Sequence, residues 1–449
     1  MVDVRLILAL MASKSLKKII SNISWLAGDK VLDVFLRVTV GVLVARYMGV
    51  EWFGYLHFSL AMVALLIPVV TLGLTSIVVK RIVLDSSQKG RLLGTAFVMQ
   101  FVTSLILSAG LVLTVYFFDI GPEPSEFFVS ILAITLIFHS ADPVKSWNQS
   151  QLTSKYTVWA KRLSLAVGLS IRLLFIQFSV AFIYFIWAWV VEAILKAYFM
   201  FHFYRKNESL SNWTFDRKIA KTLFKESWPI MFSSIASVIY LKIDVVMMGS
   251  LLTGRDVGLY SAAVRISDLF YFIPAVVTST LLPTVVRSSQ LDEDVFRQRV
   301  QALLDLLTLY SILVVVFLWF GADRLVAGLF GAEFLGAGSI LQIHAFAIFF
   351  VAAGSSRNVM LIAENRTVFI MLSTILGAVI NIAMNLFLIP LYSGIGAAIA
   401  TVVSYAFSGY LACVFWKPTM KHFKMISASF FVLFRPMSLW KYLIGLRST

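Results

Sequence analysis

Residues 55–78 read YLHFSLAMVALLIPVVTLGLTSIV, an apolar stretch without Asp, Glu, Lys or Arg. About 20 apolar residues let a helix cross the hydrocarbon core of a bilayer, so this stretch predicts a membrane span. A comparable stretch, GLYSAAVRISDLFYFIPAVVTSTLLPTVV, occupies residues 258–286. Each has a proline near its middle, Pro68 in the first and Pro274 in the second. The two stretches are therefore candidate copies of one unit.

The correspondence extends outward from these stretches at a nearly constant offset. Gly54 precedes the first stretch and Gly258 opens the second, 204 residues later (258 − 54). Trp25 and Trp228 begin the apolar runs before them, 203 residues apart (228 − 25). Such a repeat indicates duplicated membrane spans, and many transporters form a central site where two duplicated halves meet.

Composition also places most of the chain in a membrane. Of its 449 residues 60% are hydrophobic and 14% charged, whereas about a quarter of the residues in soluble domains are charged. The net charge of +15 comes from Lys and Arg concentrated between apolar runs, which argues against nucleic-acid binding. The single cysteine, Cys413, excludes a disulfide framework, and the five histidines lack metal-ligand spacing. No metal or cofactor is expected.

Twelve apolar runs have the length of a span, so we expect an all-α integral membrane protein with twelve transmembrane helices in two six-helix lobes. The runs are 22–46, 55–78, 93–117, 127–146, 158–177, 180–201, 228–251, 258–286, 301–320, 339–362, 368–389 and 396–416. The short apolar segment 5–11 is interpreted as part of an uncleaved cytoplasmic tail. The expected domains are a tail (1–21), an N-terminal lobe (22–201), a cytoplasmic linker (202–227), a C-terminal lobe (228–416) and a cytoplasmic or interfacial tail (417–449).

Basic residues predict the orientation, because cytoplasmic loops carry an excess of Lys and Arg. They gather in both terminal tails and in the segments 79–92, 202–227 and 287–300, whereas the 118–126 loop has only acidic charges. All basic segments lie on one side of the membrane if both termini are cytoplasmic. Because each lobe has six spans, the repeats are parallel, related by a pseudo-two-fold axis along the membrane normal.

Ionisable side chains inside a span are costly and therefore mark functional candidates. Asp29, Asp33 and Arg37 recur every fourth residue in the first span and share a helix face, with Lys30 beside it. One interpretation is a local pair between Asp33 and Arg37. The other is a cavity-facing stripe, in which Arg37 and Lys30 bind an anion and Asp29 or Asp33 takes part in ion coupling.

The seventh and eighth spans carry a second group of charges. Lys242 and Asp244 are two residues apart, so they point away from each other and need separate partners, such as the opposite lobe, water or substrate. Arg265 and Asp268 lie at i,i+3, where a local pair and a functional role both remain open. Lys242 and Arg265 are candidate substrate contacts, and Asp244 and Asp268 are candidate ion-coupling residues.

The remaining ionisable residues of the predicted spans are scattered, and each is interpreted separately. Arg172 has no acidic neighbour in the sequence, and it either reaches the outer interface or binds a phosphate. Glu192 and Lys196 are expected to pair along their helix, and Arg357 is expected to reach the cytoplasmic interface. His57 is expected to be a hydrogen-bonded structural group.

Several segments resemble a known family. Ala45-Arg46-Tyr47-Met48-Gly49 and Leu72-Gly73-Leu74 are similar to the start of Wzx-type polysaccharide flippases of the multidrug/oligosaccharidyl-lipid/polysaccharide superfamily. Lys242-Ile243-Asp244 and Val257-Gly258-Leu259-Tyr260-Ser261-Ala262-Ala263 resemble the corresponding motifs of the second lobe. The motifs cover spans 1–2 and 7–8, and the twelve-span layout covers the whole chain. The two extra spans typical of lipid II flippases are absent from this layout.

The resemblance implies a MATE-like fold that translocates undecaprenyl-diphosphate-linked oligosaccharide repeat units across the bacterial inner membrane by alternating access. Such units belong to O-antigen, capsule or exopolysaccharide synthesis. Coupling to a proton or sodium ion, contact with membrane lipid and association with a polysaccharide polymerase or other assembly proteins are expected. The resemblance gives no enzymatic role and no cofactor.

Three alternatives remain beside the flippase. A multidrug or organic-cation antiporter of the same superfamily would favour excess acid in its cavity, whereas the span charges here are mixed with several bases. A membrane enzyme, such as a polymerase or glycosyltransferase, would need an acid/base or metal constellation, and the sequence has no phosphate-binding loop, zinc-protease motif or nucleophile elbow. A passive scaffold would not explain Lys242 and Asp244.

Overall fold

The computed structural model describes residues 14–118, 120–291 and 293–434. These stretches are almost entirely helical, as hydrocarbon requires of a chain that must satisfy its own backbone hydrogen bonds. The α-helices are α1 (Lys14–Thr71), α2 (Leu74–Leu84), α3 (Lys89–Phe118), α4 (Ser125–Ile137), α5 (Asp142–Ser150), α6 (Lys155–Gln177), α7 (Phe182–Arg205), α8 (Arg217–Leu251), α9 (Gly254–Phe270), α10 (Phe272–Leu291), α11 (Glu293–Phe330), α12 (Ala337–His344), α13 (Ala347–Ala363), α14 (Thr367–Gly409) and α15 (Met420–Ser429).

Within the described stretches, nine helical segments are long and apolar enough to cross a membrane. Two of them, Thr39–Leu84 and Thr367–Val414, have 46 and 48 residues, about twice the length that one crossing needs. The backbone breaks inside both, at Gly49 (φ 74°) and at Ser393 (φ 48°). The chain is therefore a multi-pass membrane protein, and the number twelve stays a prediction. Helix α6, the expected fifth span, is not among the nine because it carries several basic residues.

Contacts divide the chain into two compact units. Unit 1 consists of residues up to Met48 and of Phe58–Val238, and unit 2 consists of Gly49–His57 and of the residues from Ile239 onward. The short segment 49–57 of α1 thus belongs with the second half of the sequence. The expected lobes and linker divide the sequence differently and stay a prediction.

Unit 1 has a core of buried apolar side chains drawn from helices α2, α3 and α5 to α8, among them Leu93, Val144, Ala160 and Leu223. Lipid tails are as apolar as leucine, so the hydrophobic effect does not drive helices together inside the bilayer. Within the spans these residues stabilise the unit by close van der Waals packing instead. A rigid helix packing of this kind can hold polar side chains at fixed positions.

Unit 2 has a corresponding core around Val300, Leu304 and Met360. Helix α15 is attached to this unit by Glu364, which lies between two candidate spans and accepts hydrogen bonds from His422 (3.0 Å) and Lys421 (2.9 Å). Burial alone would raise the pKa of Glu364, but the hydrogen bonds from His422 and Lys421 outweigh burial and lower this pKa to about 2. The carboxylate therefore stays ionised and holds α15 in place.

Candidate functional site

Helix α8 presents Lys242 and Asp244 to different surroundings, and both residues lie in unit 2. A separation of two residues on a helix places side chains about 200° apart around the axis, so one contact surface cannot serve both. Asp244 is 5% exposed, whereas Lys242 is half-buried. The spacing of the two residues predicts separate partners for them, and unit 2 contains these partners.

The Asp244 pocket is formed by Asp244, Tyr260, Asn385 and Thr401, which come from α8, α9 and α14. The Tyr260 and Thr401 hydroxyls donate to Asp244 Oδ2 at 2.7 and 2.6 Å, and Asn385 Nδ2 donates to Oδ1 at 2.6 Å. Among the described residues no Lys, Arg or His lies within salt-bridge distance of this carboxylate. Within the described part of the chain, this buried carboxylate is thus surrounded by neutral donors, and no described cationic side chain pairs with its negative charge.

Two amide atoms beside the carboxylate lack hydrogen-bond partners within the described part of the chain. They are Asn381 Nδ2 and Asn385 Oδ1, although the Asn381 side chain is near enough to Asp244 to stabilise its negative charge. Asn385 Nδ2 instead lies 3.1 Å from Asn381 Oδ1 and 2.6 Å from Asp244 Oδ1. Buried polar atoms are rarely left unpaired, so this part of the pocket has unused capacity for a further ligand.

The Lys242 cluster is a second polar group in unit 2, made of His57, Lys242, Arg265 and Asp268. Arg265 Nη1 lies 3.3 Å from His57 Nε2, and because guanidinium only donates, the imidazole nitrogen accepts. Lys242 and Arg265 also interact electrostatically with Asp268, which is exposed. Three of the residues predicted from the sequence are therefore brought together, and among the described members of the cluster two lysine or arginine charges face one carboxylate.

His57 reaches this cluster because segment 49–57 of α1 packs closely on α9. A Cβ atom added at Gly54 would lie 2.8 Å from Gly258 N, and one added at Gly258 would lie 2.9 Å from Val50 C. Real Cβ atoms essentially never approach below 3.0 Å, so only glycine fits at both positions. The two glycines of the sequence repeat thus meet each other in unit 2.

Arg172 lies in unit 1 and is 4% exposed, so it does not reach the outer interface. Its Nη2 atom is 2.6 Å from Glu192 Oε2, and its guanidinium stacks over Trp189 at 4.0 Å. The expected pair of Glu192 with Lys196 is wrong, because Glu192 pairs with Arg172 across two helices and Lys196 lies 4.0 Å from Asp142 instead.

The expectation for Arg357 is also wrong. Its side chain is 2% exposed and does not extend to the interface. It donates to the Ser408 carbonyl oxygen and to Ser373 Oγ at 3.1 Å, which ties α13 to both ends of α14. Arg357 is thus a buried tie between helices.

Four predicted site residues have side chains outside the described part of the chain. They are Asp29, Lys30, Asp33 and Arg37, which lie in the helical backbone of α1. Their roles stay predictions.

Sequence reasoning missed His57 and Tyr260 as members of the two polar groups. His57 lies 208 residues from its partner Arg265, and Tyr260 is a neutral residue within the Val257–Ala263 motif. Asn381 and Asn385 are four residues apart on one helix face, and Asn385 donates to Asp244 on another helix. Four-residue spacing is thus a usable signal for a shared helix face, but it does not identify the partner helix.

A family model described as a polysaccharide biosynthesis protein matches residues 43–339. The "Probable low-salt glycan biosynthesis flippase Agl15" of Haloferax volcanii is 30% identical over 193 residues. This match covers 42% of the chain and spans only 40% of that relative's length.

Solved transporters share the fold over most of the chain. Lipid II flippase MurJ in an inward closed conformation superposes with a TM-score of 0.72 at 18% identity, covering 94% of this chain and 96% of that one. An inward-facing multidrug resistance MATE family transporter of the MOP superfamily superposes with a TM-score of 0.67 at 14% identity, covering 86% and 95%. The family model covers well over half of the sequence, so the chain belongs to the polysaccharide biosynthesis protein family and has the fold of the MOP superfamily transporters.

Proposed function

We propose that this protein is a flippase for lipid-linked oligosaccharides, and that its substrate is an undecaprenyl-diphosphate-linked repeat unit. Membership of the polysaccharide biosynthesis family and similarity to a glycan biosynthesis flippase support the substrate class. The motifs of the two halves support the finer assignment to repeat units of O-antigen, capsule or exopolysaccharide. The proposed location is the bacterial inner membrane with both termini cytoplasmic, and a polymerase or other assembly protein would receive the product.

The Lys242 cluster is the observation that carries the proposal. A diphosphate bears negative charge at neutral pH and is bound best by Arg and Lys donors. Lys242 and Arg265 offer such donors from two neighbouring helices, and their charge exceeds that of Asp268. We propose that these two residues contact the diphosphate, together with Arg37, Lys30 and Arg172 from the first half. Arg172 would then exchange Glu192 for substrate during the cycle.

The Asp244 pocket is proposed as the ion-coupling site. Burying an ionised carboxylate without a cation is costly, and uptake of a proton or of Na⁺ removes that cost. Rotation of the Asn381 and Asn385 amides would let Asn381 donate to the Asn385 carbonyl oxygen and would turn that oxygen toward Asp244. Hard cations prefer such oxygen ligands, and Thr401 and Tyr260 add two more. With the amides rotated in this way, the oxygen ligands would favour Na⁺ over a proton, and Asp268, Asp29 and Asp33 are the further candidates for coupling.

The proposed mechanism is alternating access between the lobes 22–201 and 228–416, joined by the linker 202–227. The glycan cannot cross hydrocarbon, so it would travel through a hydrated cavity while the polyprenyl tail stays in lipid. Binding of an ion in the Asp244 pocket would neutralise the Asp244 charge on the helix that also carries Lys242. Because α8 carries members of both groups, a shift of this helix couples ion binding to release of the diphosphate.

An organic-cation antiporter is the second candidate, because MATE family transporters share the fold. The basic excess of the Lys242 cluster opposes it, since a cationic drug would be repelled there. The two candidates are separated by the charge of the transported molecule.

A transport assay tests the proposal. Purified protein is reconstituted in proteoliposomes with a labelled undecaprenyl-diphosphate-linked oligosaccharide, and flipping is followed by a membrane-impermeant glycosidase. We expect wild-type transport to accelerate with a Na⁺ gradient. Asp244→Asn should lose that acceleration, and Lys242→Ala and Arg37→Ala should each slow transport roughly tenfold or more, as loss of about 1.4 kcal/mol of binding predicts.

Asp305→Asn is the matched control, because Asp305 is another buried carboxylate of unit 2, 6% exposed, outside both polar groups. It should retain the response to Na⁺. Normal transport by both Lys242→Ala and Arg37→Ala would refute the diphosphate contacts. Transport of organic cations without any oligosaccharide flipping would establish the antiporter instead.

A further inference from the structure

Unit 1 contains a cavity of about 440 Å³ that lies apart from both polar groups. It is lined by the end of α2, the start of α3 and the first turns of α8, including Lys80, Arg81 and Lys218. The candidate spans Thr39–Leu84, Ser86–Phe118 and Arg217–Leu251 all begin or end here. The cavity is therefore at a boundary between hydrocarbon and water.

The charges around this cavity do not balance. Its two acidic residues are already engaged, since Glu226 pairs with Arg81 and Asp85 accepts hydrogen bonds from Ser87 Oγ (2.6 Å) and Gln88 Nε2 (2.7 Å). The Ser87 hydrogen bonds lower the pKa of Asp85, so this carboxylate is ionised and committed to its own turn.

Lys80 and Lys218 are left as the available cations. Both are exposed, and neither has an ion pair in the part of the chain that the structure describes. Each interacts with one carboxylate at longer range, Lys80 with Glu226 and Lys218 with Asp216. The three cations of the lining still outnumber its two carboxylates, and an anion between the two lysines would reduce their repulsion.

Apolar side chains adjoin these cations. Leu84 lines the cavity and is 73% exposed, and its neighbour Val83 is 65% exposed. Leu92, Ile219 and Leu223 form the rest of the apolar lining. A free phosphate ion would use the lysines and leave this apolar surface unused, whereas a phospholipid uses both.

We propose that this cavity binds the phosphate group of an anionic phospholipid, with Lys80 and Lys218 as its cationic ligands. The acyl chains lie along Val83 and Leu84, and the headgroup enters between α2 and α8. A phospholipid bound here joins the end of α2 to the start of α8, two helices that are otherwise linked at this level by the Arg81–Glu226 pair. The bound lipid stabilises unit 1 and is separate from the transported substrate.

The test titrates detergent-purified full-length protein with short-chain phosphatidylglycerol, short-chain phosphatidylcholine or inorganic phosphate and records the melting temperature. Phosphatidylglycerol should raise the melting temperature of the wild type, and the other two should not. Each lysine near a membrane contributes about a fivefold factor in affinity for an anionic lipid. The double variant Lys80→Gln/Lys218→Gln should therefore need roughly 30-fold more phosphatidylglycerol to reach the same rise in melting temperature. Native mass spectrometry should show one fewer retained phosphatidylglycerol on this variant.

The double variant Lys417→Gln/Lys424→Gln is the matched control, because it removes two exposed lysines of unit 2. It should respond like the wild type. Thr222→Trp fills the cavity without changing charge and should also lose the response, which provides a second variant if the first does not fold. An equal response to phosphatidylcholine, an equal response to inorganic phosphate, or an unchanged response in both cavity variants would overturn the proposal.

Discussion

The crossing of segment 49–57 with α9 gives a prediction whose magnitude follows from the coordinates. A Cβ atom added at Gly258 would lie 2.9 Å from the Val50 carbonyl carbon and closer still to its oxygen. Ordinary van der Waals contact begins at 3.4 Å, so Gly258→Ala must separate the two backbones by at least 0.5 Å (3.4 − 2.9). The neighbouring atoms are backbone atoms, which cannot rotate away as a flexible side chain could.

Overpacking of this kind destabilises a protein by about 1–3 kcal/mol. Part of this loss is offset, because alanine inside a helix is more stable than glycine by about 0.5–1 kcal/mol. Because two backbones are forced apart, we take the upper end of the overpacking range and expect a net loss of about 2 kcal/mol in the free energy of unfolding. For a unit of this size that loss lowers the melting temperature by roughly 4–8 °C. Transport should fall as well, because the displaced segment carries His57 into the Lys242 cluster.

Thermal unfolding of the detergent-purified protein measures this effect, with Gly110→Ala as the matched control. Gly110 also lies inside a helix, but a Cβ atom there would meet no atom within 4 Å. Its replacement should leave the melting temperature unchanged or raise it slightly. If Gly258→Ala melts at or above the wild-type temperature, the close crossing does not hold unit 2 together and the reasoning is refuted.

Two further predictions concern charged contacts. The pKa of Glu364 is lowered from its ordinary 4.5 to about 2, so its contribution to stability is full above pH 4.5 and is lost as the pH falls toward 2. Melting curves across this range should show that loss in the wild type and not in Glu364→Gln; the same slope in both would contradict it. Glu192→Gln should destabilise unit 1 by about 3–5 kcal/mol, because it leaves the buried Arg172 charge unpaired. Arg172→Met should cost less, because the Glu192 side chain is 27% exposed and its charge is partly hydrated. The double variant should lose less than the two losses added together, and simple additivity in a double-mutant cycle would show that the pair contributes nothing.

The helical architecture could be predicted from the sequence because a bilayer allows few alternatives. Long apolar runs must become helices in hydrocarbon, and the breaks at Gly49 and Ser393 fall between runs that the pattern had already separated. The separate surroundings of Lys242 and Asp244 were predictable for the same reason, since helix geometry alone fixes their directions.

The partners of the charges could not be predicted, because they depend on how helices pack against each other. Arg172 and Glu192 are 20 residues apart on separate helices, and Asp244 meets Thr401 across 157 residues. Local spacing favoured a pair of Glu192 with Lys196 along one helix. The structure instead pairs Glu192 with Arg172 of a neighbouring helix, and the Arg172 guanidinium also stacks over Trp189. Neutral donors such as Tyr260 cannot be recognised from the pattern of charged residues in a sequence. The hydrogen-bond partners of Asp244 were therefore not predictable.

The sequence repeat acquires a physical meaning from the glycine contact. Gly54 and Gly258 are equivalent positions of the two halves, and they pack against each other inside unit 2 rather than at distant places in two independent copies. This contact brings nine residues of the first half, Gly49–His57, into the second unit. Because His57 accepts from Arg265, residues 239–434 by themselves would lack both the close helix crossing and one member of the Lys242 cluster. Duplication alone therefore does not complete the site, since the second half needs a segment of the first half to form it.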